Sequence, residues 1–130
     1  MRIAPFVLIL VSCGPPKNFA PVDQIPTLPS LKDVMDVQAT TADPQFKKSD
    51  ATSFTDDDWS QLKETSKKIE ATSKRIKSFS KGADFDALAD KLGTKATALG
   101  AAAEKKDTEG AKTALVEMKA TCKECHSKFK

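Results

Sequence analysis

The chain has 130 residues, with 21 lysines and arginines against 18 aspartates and glutamates and a formal charge of +3. That balance is too near neutral for a nucleic-acid partner, and the length suits one modest domain. Basic and acidic residues interleave along the chain in the pattern of solvated helix faces, and no repeat or low-complexity tract stands out.

The first eleven residues, MRIAPFVLILV, carry one positive charge and then an apolar stretch broken only by Pro5. This stretch is too short to span a bilayer. With Leu10-Val11-Ser12-Cys13 it resembles a bacterial lipoprotein signal, in which a small residue precedes a cysteine that is lipidated and becomes the new N-terminus. A buried N-terminal helix is the alternative, although Gly14-Pro15-Pro16 would end it at once. The resemblance implies a signal peptide over residues 1–12, export to face the periplasm, and a membrane anchor through Cys13, with Gly14 pointing to the outer membrane. Cleavage removes Arg2 and lowers the charge from +3 to +2. Residues 13–27 hold Pro15, Pro16, Pro21 and Pro26 and read as a linker. Proline-rich chain extends by about 3.1 Å per residue, so the linker reaches up to roughly 50 Å. Phe19, Val22, Ile25 and Leu28 offer the other option: laid along the domain surface, they shorten that reach.

Over residues 28–130 every segment reads as helix. Leu28, Leu31, Met35 and Gln38 follow helical spacing beside Val34 and Val37, and Pro44 limits how far this first helix runs. Thr55 caps the second, with Asp56, Asp57 and Asp58 in a first turn where negative charge suits the helix dipole. Trp59, Leu62, Ser66, Ile69, Ser73 and Ile76 form its seam, which ends near Phe79 and Gly82. The third starts with Asp84 as cap and places Phe85, Leu88, Leu92, Ala96, Leu99 and Ala103 on one face, while Gly93 and Gly100 weaken it or admit a close neighbour. Asp107 caps the fourth, whose inward face is Ala111, Leu115, Met118, Cys122, Cys125 and Phe129. Four amphipathic helices, no credible strand and short later connections predict an all-α fold, an antiparallel four-helix bundle. A looser three-helix arrangement with residues 28–54 wrapped over it is the alternative.

The fourth helix ends in Cys122-Lys123-Glu124-Cys125-His126, a single CxxCH. Cysteines three apart project from neighbouring turns of one face and match the two vinyl groups on one side of a haem. The next residue, His126, brings its imidazole against the iron as proximal ligand. Zinc wants four ligands, and beside this motif the chain offers only Cys13 and no second histidine. A thioredoxin-type pair wants a strand before it and a helix after it, whereas here a helical pattern runs into the motif. A chance CxxC at a helix end is the remaining alternative. One covalent haem c on Cys122 and Cys125, held at one end of the bundle, is the expectation.

The run Cys122-Lys123-Glu124-Cys125-His126-Ser127-Lys128-Phe129-Lys130 resembles the class II cytochromes c, the cytochrome c′ family. Ala42-Asp43-Pro44-Gln45-Phe46 followed by Phe54-Thr55-Asp56-Asp57-Asp58-Trp59 is similar to the way many members join a first helix to a second. The likeness covers roughly residues 28–130 and is weakest in the third helix. It implies a left-handed bundle with His126 proximal, a first-helix side chain over the opposite haem face, and a basic residue, Lys130 or Lys128, guarding the proximal side. Val34-Met35 resembles the low-spin, methionine-ligated branch, although Pro44 makes this first helix shorter than the family's.

Topology gives an independent route to the sixth ligand. In an up-down-up-down bundle the end of the fourth helix lies beside the start of the first and the turn between the second and third. The thioethers are Met1, Met35 and Met118, and Met1 leaves with the signal. Met118 lies about 10 Å before Cys125 on the same helix and packs beside the haem. Elimination leaves Met35 as candidate distal iron ligand; a core methionine is the other reading, and a shifted register leaves the iron five-coordinate. Phe79 and Phe85, with Ile76 and Leu88, are candidate pocket walls, a place that ordinary core packing explains equally well. Lys74, Arg75, Lys77 and Lys81 are near enough in sequence to pair with haem propionates, a solvated face being the alternative for each. Trp59 and Phe46 belong to the far end.

A six-coordinate haem makes an electron carrier serving redox partner proteins that the sequence does not identify. An open distal face makes a module that binds nitric oxide or carbon monoxide. No second histidine, carboxylate pair or extra cysteine converges on the haem end, so the expectation is electron transfer and no enzyme. Whether two copies pair through their first two helices is open.

Overall fold

Residues 19–130 are described by the computed structural model, in which a short 3₁₀ segment (Val22–Thr27) precedes α1 (Leu31–Phe46), α2 (Asp56–Ile76), α3 (Ala83–Glu104) and α4 (Thr108–Phe129). The signal peptide, Cys13 and the start of the linker lie outside the described residues. Among the described residues there is no strand, and no helix is long and apolar enough to cross a membrane. The fold is an all-α helical bundle.

α1, α2 and α4 each start where a side chain satisfies free N–H groups, and α3 starts at a glycine. The Ser30 hydroxyl accepts from the Asp33 N–H at 3.1 Å to open α1, and the Asp107 carboxylate accepts from the Gly110 N–H at 3.0 Å to open α4. Thr55 and Asp58 form a reciprocal capping box on α2. Two boundaries depart from the sequence expectation. α3 opens at Ala83 with Gly82 as cap, at φ 116°, so Asp84 sits inside the first turn and not before it; only glycine takes that backbone angle cheaply. α1 runs two residues past Pro44, because a proline in the last turn of a 16-residue helix removes a single N–H bond.

Cross-helix pairs give the topology. Gln38 bonds Thr72 and Gln45 bonds Gln61, so α1 and α2 run antiparallel. Ser66 lies against Gly100 and Ser73 against Gly93, which sets α3 antiparallel to α2. Lys95 pairs with Glu117 and Lys91 with Glu124 between α3 and α4. Every seam residue read from α2 and α3 is buried. The small residues do more than fill the seam: the Ser66 hydroxyl donates to the Ala96 carbonyl at 2.7 Å, across the two helices. α3 packs closely on α2 and α4, α1 packs on α2, and α1 scarcely touches α4.

The second half of the proline-rich segment belongs to the domain. Ile25 is 0% exposed and Leu28 5%, both in an apolar cluster with Val34, Val37, Ile76 and Phe85. The Arg75 guanidinium donates to the Leu28 carbonyl from Nε at 3.0 Å and Nη2 at 2.6 Å. Residues 20–28 therefore form a strap on α2 beside α1, which shortens the linker.

Two consequences can be measured. A Cβ at Gly100 would stand 3.2 Å from Ser66 Cβ, and Ser66 cannot turn away without losing its bond to Ala96. Gly100→Ala should therefore lower stability by about 1–3 kcal/mol in denaturant titrations, against the roughly 1 kcal/mol that alanine otherwise adds to a helix. Asp58 is held at a pKa of about 2 by the Lys48 ammonium and then by the Thr55 N–H. Its folded pKa lies below the unfolded value of about 3.9, so its contribution is present above that value and lost as the pH falls toward 2. Asp58→Asn should lower stability at neutral pH and flatten its fall between about pH 4 and pH 2, measured by thermal melts across that range.

Candidate haem site

The CxxCH motif occupies the last two turns of α4, where an exposed ion pair links its outer face to α3. Glu124, between the cysteines, takes the Lys91 ammonium of α3 at 2.9 Å, and that ammonium holds its carboxyl below the usual range. The opposite face turns inward. Cys122 packs against the apolar cluster built on Trp59, Leu62, Leu99 and Leu115, and Cys125 against the cluster built on Ile25, Val34, Ile76 and Phe85. The motif thus sits where the two halves of the core meet.

A cleft of about 740 Å³ opens at that junction, on the side where α1 stands away from α4. Its volume falls in the range of cofactor pockets, about 300–1,000 Å³. Cys122, Cys125 and His126 line one wall, and Met35 lines it from α1. Ile69, Ile76, Phe85, Leu88, Leu92 and Met118 form much of the apolar remainder. Phe85 and Phe129 meet edge to face at 5.3 Å and close the end near the motif. A flat, mainly apolar group with two reactive vinyls and an acceptor for an imidazole fits this lining. Both thiols are half-buried and unpaired, His126 is exposed at the wall, and Lys81 and Lys130 bring positive charge for two propionates, while Lys32 is paired with Asp36 at 2.6 Å.

The residues singled out in the sequence divide clearly. Phe85, Ile76 and Leu88 line the cleft, and Met118 lines it from α4 in full burial. Phe79 does not line it. Its ring lies instead under the Arg75 guanidinium, 4.9 Å from carbon to centroid. Arg75 is committed to that ring and to the Leu28 carbonyl, and Lys77 to Asp90 at 2.7 Å, while Lys74 lies in a shallow outer depression. Of the four cations near the turn only Lys81 reaches the cleft, where its Nζ also donates to the Phe129 carbonyl at 3.2 Å. Lys130 lines the cleft and Lys128 does not. Trp59 packs edge to face on Phe54 at the far end, and Phe46 reaches the cleft from there.

Several lining residues escaped the sequence reading. Lys32, Asp36, Gln38, Ala39 and Asp43 share the cleft face of α1 with Met35. Helical spacing from Met35 marks that face, but their polarity hid it, because an apolar periodicity does not register lysine, aspartate and glutamine. Gln38 is held in place: Thr72 donates its hydroxyl to the Ile69 carbonyl at 3.0 Å and so accepts from the Gln38 amide nitrogen at 3.1 Å.

Burial pushes the Cys122 thiol up to about 11, and the Asp43 carboxylate adds to the effect. The Cys125 thiol is also raised, by burial and then by Glu124. The thiolate is the reactive form. In the haem-free protein Cys122 should therefore alkylate with iodoacetamide more slowly than Cys125 at neutral pH, and Asp43→Asn should speed it, both read by mass spectrometry of the labelled peptides.

A family model described as Cytochrome C′ matches residues 27–130, which is 104 of the 130 residues. Neither the comparison with curated proteins nor the comparison with solved structures returns a match.

Proposed function

The chain belongs to the cytochrome c′ family and is a c-type haem protein, and from that premise we propose that it carries electrons outside the cytoplasm on one haem c. Cys122 and Cys125 attach the haem as thioethers, and His126 and Met35 ligate its iron. The haem supplies a one-electron iron couple, with a potential that a thioether ligand raises. The observation that supports this reading is the placement of Met35: it lines the same cleft as the CxxCH triplet, from the helix across it.

The chain's own residues account for the remaining requirements. The apolar lining excludes water and so limits the reorganisation that accompanies a change of charge. Lys81 and Lys130 offset the propionates at the rim. Glu124, tied to Lys91, keeps the last turns of α4 in register so that His126 stays at the cleft wall. Redox partner proteins would dock where this rim is exposed. The lipobox resemblance adds a membrane anchor through Cys13 on the periplasmic side.

One observation favours a second reading. Met35 also packs against the cluster of Val34, Ile25 and Phe85. A methionine retained there would leave the iron five-coordinate and open to nitric oxide or carbon monoxide.

Absorption spectra of the oxidised and reduced protein distinguish the two. The carrier is expected to show low-spin ferric haem with the weak far-red band of methionine ligation, lost in Met35→Ala. A high-spin ferric spectrum at neutral pH would sink it in favour of the gas-binding module. Cys13→Ser should release the protein from the membrane fraction, and unchanged association would count against the anchor.

A further inference from the structure

Arg75 stands in the last turn of α2 and turns away from the cleft. Its Nε and Nη2 both donate to the Leu28 carbonyl, its Nη1 donates to the Ser78 hydroxyl at 3.3 Å, and its plane lies over Phe79. Three separate pieces of chain are joined by this one side chain: the end of α2, the turn after it, and the strap that leads into α1.

The strap continues through Leu28 to Ser30, which caps α1, and Met35 follows in the second turn. On the α4 side of Met35 lies the cleft, and α1 touches α4 only lightly. Its lateral position is set mainly from α2. Two polar ties to α2 bracket Met35, the Arg75 fork on Leu28 before it and the Gln38 bond to Thr72 after it. The first is the stronger tie, being charged and two-pronged. Leu28 is 5% exposed and Ile25 beside it is fully buried, so the fork sits at a partly buried edge of the core.

We propose that Arg75 is a positioning residue for the Met35 thioether, acting through the strap backbone to hold α1 at the spacing from α4 that ligation requires. This rests on the methionine ligation argued above. Loss of the fork releases the start of α1, and the thioether then leaves the iron more often. The haem itself is untouched, because Arg75 does not line the cleft.

The test uses the haem-loaded protein and two variants. Arg75→Lys keeps the charge but cannot form the fork, and Arg75→Ala removes both. Both should weaken the far-red band and speed replacement of the thioether by carbon monoxide in the ferrous protein by roughly tenfold, the scale of one charged hydrogen bond. Amide exchange in the first turn of α1 should quicken in parallel. Thr55→Ala is the control: Thr55 caps α2 outside the cleft lining, so the variant loses stability without altering band or rate. Wild-type band and rate in both Arg75 variants, with the band lost in Met35→Ala, would overturn the positioning role and leave ligation standing. An equal effect in Thr55→Ala would reduce Arg75 to general stability and overturn the role as well. An unchanged spectrum in Met35→Ala would refute ligation itself, and positioning with it.

Discussion

The close approach of α2 and α3 governs the rest of the bundle. Serine faces glycine at two levels, Ser66 on Gly100 and Ser73 on Gly93, and the Ser66 hydroxyl crosses to the Ala96 carbonyl. Helices without side-chain bulk between them pack near the lower limit of interaxial distance. With α4 packed against α3, α1 meets the other three helices mainly along α2 and touches α4 only lightly. The slot between α1 and α4 follows from that asymmetry. A bundle with four equal interfaces would close it.

α1 compensates with polar ties where apolar contact is lacking. Gln38 to Thr72, Gln45 to Gln61 and Arg75 to Leu28 run along its α2 side, one near each end and one in the middle. Such bonds fix position more sharply than apolar contact, because they are directional and costly to leave half-made in a buried setting. The wall that carries Met35 is thus held from behind, and the wall that carries His126 is held from the outside by Glu124 and Lys91. Arg75, Glu124 and Lys91 act from outside the slot, whereas Gln38 both ties α1 to α2 and lines it.

Much of this was legible in the sequence, for identifiable reasons. Seam residues such as Leu62, Ile69, Leu92 and Leu99 repeat at helical spacing, and that period survives any detail of packing. The CxxCH motif fixes one wall by identity, and elimination among three methionines picked out Met35, which does line the cleft. The strap was harder to see. Prolines break its period, and its burial is decided by α2 residues far along the chain. The Arg75 tie was not legible because its acceptor is a backbone carbonyl 47 residues away, which carries no side-chain signature. Phe79 followed it, as the ring under that guanidinium and not a wall of the pocket. Gly82 displaced Asp84 as cap because backbone geometry at a turn outranks side-chain preference.

The strap also sets a distance and a facing. It packs in the same cluster as Cys125 and Phe129, so the chain enters the bundle at the haem end. In the lipid-anchored form proposed above, the free tether shrinks from the whole linker to the residues between Cys13 and Ala20, a span of roughly 20 Å at full extension. In that form so short a tether would restrict tumbling and keep the cleft near the bilayer surface. Partners fixed in that membrane would then meet the redox end at a high local concentration, whereas freely diffusing ones would have to reach it from the side.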